Sequence, residues 1–123
     1  MRTEPRTLSD AEAAVLDLVL SEDFEGVAEL RDQAGTATVV GRCDCGCPSV
    51  DLAVGTEGPR SPFAGTVLPA EGRIEPVGVE PPGEVLVFAM DGWLSYLEYV
   101  FYGDTPPSGW PLVERISTVL IPR

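Results

Sequence analysis

Histidine, lysine and asparagine are all absent from this chain of 123 residues. Each gap closes a class of chemistry. Without histidine there is no Ser–His–Asp or Cys–His nucleophile pair, no HExxH metal helix and no imidazole to move protons near neutrality. Without lysine there is no Walker A phosphate clamp and no Schiff base. Positive charge is scarce: eight arginines face 20 acidic residues, a formal net charge of −12. Such a surface repels phosphates, so nucleic acid is not an expected ligand. No apolar run approaches the ~20 residues that a membrane-crossing helix needs. Arg2, Glu4, Arg6 and Asp10 spread charge of both signs over the N-terminal stretch, and no apolar signal core follows. The expectation is a cytoplasmic chain with no membrane partner.

What is present is ordinary globular material, 44% hydrophobic and 23% charged, enough for a single domain over residues 1–123 with one core. Residues 8–20 read as a helix. Ser9 and Glu12 have the spacing of a capping box, and Ala11, Ala14, Val15, Leu18 and Val19 fall on one helical face. A shorter helix is expected over 23–33, capped by Ser21 or Asp23 and stopped by Gly35. The period then changes to two. Thr36 to Arg42 and Val50 to Val54 read as strands around a turn at Cys45–Ser49, with further short strands at 65–69 and 73–79. The segment 116–121 reads as a strand or short helix.

Asp91-Gly92 carries the strongest local signal. It joins two apolar runs, 84–90 and 93–101, and Asp-Gly favours a type I′ hairpin turn. A regular two-residue hairpin pairs Met90 with Trp93, Phe88 with Ser95, Leu86 with Leu97 and Glu84 with Tyr99. Both faces of such a hairpin are mostly apolar, so both need cover: the helices on one side, and the C-terminal segment or a second chain on the other. The fold class follows as α+β, two N-terminal helices packed on one face of a mainly antiparallel, hairpin-connected sheet. The chain is then a monomer, or a homodimer through the uncovered face.

Three features invite a chemical reading. Cys43, Cys45 and Cys47 alternate with Asp44 and Gly46. Soft sulfur donors suit zinc or copper, zinc first. On an extended strand, however, the Cα atoms of Cys43 and Cys45 stand about 6.6 Å apart and those of Cys43 and Cys47 about 13 Å, so all three thiols cannot share an ion unless Gly46 and Pro48 bend the chain. The primary expectation is therefore that Cys43 and Cys45 line the core as small buried apolar groups, with no cofactor and no stoichiometric metal; zinc on the three thiols is the alternative. Glu98 sits in an apolar strand between Tyr96 and Val100. It is a buried carboxylate of functional interest, the partner of an arginine such as Arg42 or Arg73, or a residue at an exposed sheet edge. Trp110, on a Pro-rich loop, either anchors a partner or folds back to plug the end of the sheet. Acidic clusters such as Glu22, Asp23 and Glu25 read as surface charge near a helix start.

The stretches Val39-Val-Gly-Arg-Cys-Asp-Cys-Gly-Cys-Pro-Ser-Val-Asp-Leu52 and Asp91-Gly-Trp-Leu-Ser-Tyr-Leu-Glu-Tyr-Val-Phe-Tyr-Gly-Asp104, with the Trp-Pro that follows, resemble a family of small uncharacterised actinobacterial proteins. The strand, Asp-Gly turn and Leu-x-x-Leu-Glu strand are also similar to small immunity proteins of bacterial toxin systems. These resemblances imply a bacterial chain and bring no assigned catalytic residue. Together with the missing catalytic side chains and the charge, they predict a non-enzymatic acidic binding protein, immunity-like, whose partner is a basic protein steered to it by its field. Glu98 and Trp110 are the residues expected to meet that partner.

Overall fold

A computed structural model describes residues 2–122. The chain is α+β. In order it forms strand β1 (Arg2–Thr7), helices α1 (Asp10–Val19) and α2 (Val27–Ala34), then β2 (Thr38–Arg42), β3 (Val50–Ala53), β4 (Ala70–Ile74), β5 (Gly83–Met90), β6 (Trp93–Phe101), a 3₁₀ turn and β7 (Ile116–Leu120). The seven strands make one sheet in the order β1-β2-β3-β6-β5-β4-β7, and every named pairing is antiparallel. No helix among the described residues is long and apolar enough to cross a membrane.

The first helix begins where the sequence placed it. The Ser9 hydroxyl accepts from the Glu12 N–H at 3.1 Å, and the Glu12 carboxylate accepts from the Ser9 N–H at 2.8 Å. Its buried face is turned by one residue from the expected one. Glu12, Val15, Leu16 and Val19 are buried, and Ala11 and Ala14 are exposed. Leu16 and Leu20 bury far more surface than two alanines, so they win the core side. The second helix starts at Val27 behind Gly26 (φ 93°), not at 23, and neither Ser21 nor Asp23 caps it. Residues 21–26 are instead held as a turn by Arg31, whose Nε donates to Leu20 O at 2.7 Å and whose Nη2 donates to Asp23 at 3.0 Å.

Two strand expectations need correction. Arg2–Thr7 forms a strand that its polar, Pro-containing sequence does not announce; it lies at the sheet edge, where Pro5 forfeits no central ladder bond. The expected strands at 65–69 and 73–79 are replaced by one at Ala70–Ile74, with isolated bridges at Val67 (to Phe88) and Val77 (to Glu80). Close packing decides this. A Cβ on Gly72 would stand 2.8 Å from Ile116 and 3.2 Å from Val85, so glycine lets three strands close up there.

The Asp91-Gly92 turn forms with φ of 53° and 86°, as a type I′ turn requires. Its register departs from the regular one after two pairs. Met90 faces Trp93 and Ala89 faces Leu94, but Phe88 then faces Tyr96, Val87 faces Leu97 and Leu86 faces Glu98. Ser95 is a bulge, and beyond it every residue of β6 changes partner. The bulge sorts the faces. Val85, Val87, Ala89, Leu94, Leu97 and Tyr99 go to the core under the helices, whereas Glu84 and Glu98 go together to the far side. The segment 116–121 does not cover that far side; it joins the same sheet beside β4.

Candidate functional site

The loop between β2 and β3 carries the three cysteines. It is a tight turn, not a strand: Cys43 N–H donates to Ser49 O at 3.2 Å, Gly46 N–H donates to Cys43 O at 3.4 Å, and Gly46 takes φ 91°. The chain therefore doubles back, and the three Sγ atoms all lie within 4.8 Å of one another. The separation expected from an extended chain is overturned. Gly46 and Pro48 were the signals for the bend, and the closing bond to Ser49 is what sets it. The expectation that Cys43 and Cys45 line the core is overturned for both: Cys43 is half-buried and Cys45 exposed, while the buried thiol is Cys47.

The loop orders its sulfurs from within. Cys43 Sγ and Cys45 Sγ are in contact at 2.9 Å. The Cys45 N–H points at Cys43 Sγ (3.5 Å) and the Cys47 N–H at Cys45 Sγ (3.4 Å). Cys47 Sγ lies 3.3 Å from the Ser49 hydroxyl, which also accepts the Tyr99 N–H of β6 at 2.8 Å. Ser49 thus pins the loop to the sheet, a role sequence reading did not assign. The thiol–thiol hydrogen bond with Cys43 pushes the Cys45 thiol up to about 11. Cys47 moves the other way: burial pushes it up, but hydrogen bonds with Ser49 and with the other two thiols outweigh burial and hold it below the usual range. Arg42, Cys43, Asp44, Gly46 and Cys47 line a small cavity of about 190 Å³ at the loop.

This loop abuts the sheet face turned away from the helices. Burial pushes the Tyr96 phenol up, the Ser49 hydroxyl opposes that, and the charges of Cys43, Glu98 and Cys47 add to it. Tyr96 therefore marks the border between the thiols and the open face. Across that face Asp51 pairs with Tyr96 and Tyr96 with Phe88, whose ring meets Tyr96 edge-on at 5.8 Å. Leu86, Trp93 and Val100 are half-buried, and Met90 is 62% exposed. Glu98 stands opposite Leu86, half-exposed rather than buried. Its expected pairing with Arg73 does not form, because Arg73 binds Glu71 on its own strand at 3.0 Å. Glu84 accepts a hydrogen bond from Tyr102.

Trp110 lies elsewhere. Its indole packs at 5.3 Å on Tyr99, against the core, with Nε1 buried. It forms one wall of a cleft of about 530 Å³ shared with Phe101, Tyr102, Pro107 and Arg115. The structure does not bring Trp110 together with the thiols. Comparisons with protein-family models, with curated proteins and with solved structures find no match.

Proposed function

We propose that this chain is a non-catalytic, acidic interaction protein that docks a basic protein partner on the open face of its sheet, as an immunity-like inhibitor does. One observation carries the reading: the face opposite the helices is half-exposed, apolar at its centre and flanked by three carboxylates, against which Arg73, opposite Glu84, is engaged by Glu71. Phe88, Met90, Trp93 and Tyr96 offer the apolar and aromatic surface that anchors interfaces, and Asp51, Glu84 and Glu98 supply negative charge beside it. The occupant is a basic surface and not a second copy. Two such faces would bring like charges together, on molecules that each carry −12. A strongly negative molecule also speeds the approach of a basic partner and makes the encounter salt-sensitive. The lack of histidine and lysine supports a role in binding instead of turnover.

The test compares wild type with the double reversal Glu84→Arg, Glu98→Arg as baits in lysate of the source organism, followed by calorimetry on the purified captured protein. The expected result is a basic protein that binds wild type and weakens with added salt. The double variant should bind it at least about tenfold less tightly, and sedimentation of the chain alone should show a monomer. Failure to capture a basic protein, or a captured protein indifferent to both reversals, overturns the reading. So does a dimer that Phe88→Glu dissociates, which would assign the face to self-association.

A further inference from the structure

The thiol loop has a property that an interaction surface does not require. Three sulfur atoms approach within 4.8 Å of one another. A metal held by thiolates at about 2.3 Å needs its sulfurs somewhat under 4 Å apart, so Cys43 and Cys45, now at 2.9 Å, would open by about 1 Å and the wider separations would close by less than about 1 Å. The N–H groups of Cys45 and Cys47 already point at the sulfurs of Cys43 and Cys45, the kind of outer hydrogen bond that orients metal ligands. Cys47 is anchored in the interior through Ser49, and Cys45 is exposed, which leaves an ion a route in.

We infer that the 43–49 loop is a three-thiolate site for a thiophilic metal ion, with monovalent copper preferred. The donor set decides the preference. Zinc in a structural site takes four protein ligands. Here the cluster among the described residues holds three sulfurs and no fourth donor, and the chain has no histidine to supply one. Monovalent copper is soft, selects thiolates and is satisfied by three of them. Each thiol releases its proton as its sulfur takes the ion, so binding displaces protons and changes no oxidation state. A disulfide would join two of the cysteines and strand the third; a single ion uses all three.

The test titrates the reduced full chain with Cu(I), without oxygen, against the chromophoric chelator bicinchoninate. One copper per chain is expected, with three sulfur neighbours by X-ray absorption. Cys45→Ser is the informative variant, because Cys45 is exposed and its loss spares the core, whereas Cys47 is buried. It should keep the wild-type circular dichroism and lose affinity at least about tenfold. Ser108→Ala, remote in sequence and structure, should change nothing. Copper that passes entirely to the chelator, or that binds Cys45→Ser as well as wild type, overturns the site. One zinc ion with an oxygen as fourth neighbour, not displaced by Cu(I), overturns the choice of metal. Neither result bears on the partner face, which the previous experiment probes with all three cysteines intact.

Discussion

The Glu12 carboxylate closes the capping box with Ser9 and takes two hydrogen bonds from Arg6, each at 2.9 Å. It is nearly fully buried, whereas the Arg6 side chain is 48% exposed. Burial alone pushes its pKa up, but the bonds from Arg6 and Ser9 outweigh burial and leave it below its ordinary 4.5. A carboxyl lowered on folding binds fewer protons in the folded state. Its stabilisation is therefore complete above its ordinary range and is lost as pH falls through the folded value. Glu12→Gln should lower stability near neutrality by about 1–2 kcal/mol, since solvent screens the half-exposed Arg6, and should shrink the loss of stability on acidification. Urea unfolding of both proteins at neutral and acid pH measures this; parallel pH curves would mean that Glu12 contributes nothing beyond packing. The Ser-x-x-Glu spacing was legible in the sequence because a capping box is built within four residues. The bond from Arg6 was not, because it depends on the course of the N-terminal strand.

At the scale of an element, the Asp91-Gly92 turn is held from three directions. Gln33 of α2 is buried; its Nε2 donates to Gly92 O at 2.8 Å and its Oε1 accepts the Leu94 N–H at 2.9 Å. Arg60 Nε donates to Asp91 O at 2.6 Å, and the Ser61 N–H donates to Gly92 O at 3.0 Å. A Cβ on Gly92 would meet Ser61 O at 2.3 Å, besides facing a φ of 86°. Gly92→Val therefore suffers both a conformational penalty and a collision, and should cost about 2–5 kcal/mol. Equilibrium unfolding gives the number; a variant as stable as wild type would contradict both the turn type and the packing of the 59–63 loop on it. The turn itself was readable from its two residues. The bulge at Ser95 was not. Nothing in Trp-Leu-Ser-Tyr breaks the alternation, and the extra residue is placed by burying Leu97 and Tyr99 together with Val85 and Val87.

For the whole molecule, charge is the dominant long-range feature. With a net −12 spread over a small body, like charges repel more in the folded chain than in the expanded one. Added salt screens this repulsion, so Tm should rise between low and moderate ionic strength. Thermal scans in sodium chloride check it, and an unchanged Tm would mean that local pairs such as Arg6–Glu12 and Arg31–Asp23 already balance the field.

Residues adjacent in the chain settled the capping box, the helix that follows it, the type I′ turn, the α+β class and the list of closed chemistries. Each of these depends on groups a few positions apart, or on side chains that are simply missing. The tertiary structure alone decided which side of α1 is buried, that Arg2–Thr7 pairs as an edge strand, and that Glu84 and Glu98 share the open face. It also decided that three thiols on alternate residues meet. That meeting requires a turn closed by Cys43 and Ser49 and fastened by Ser49 to Tyr99, a residue fifty positions away. A contact of that range is set by the ordering of whole strands, which no local pattern of side chains encodes.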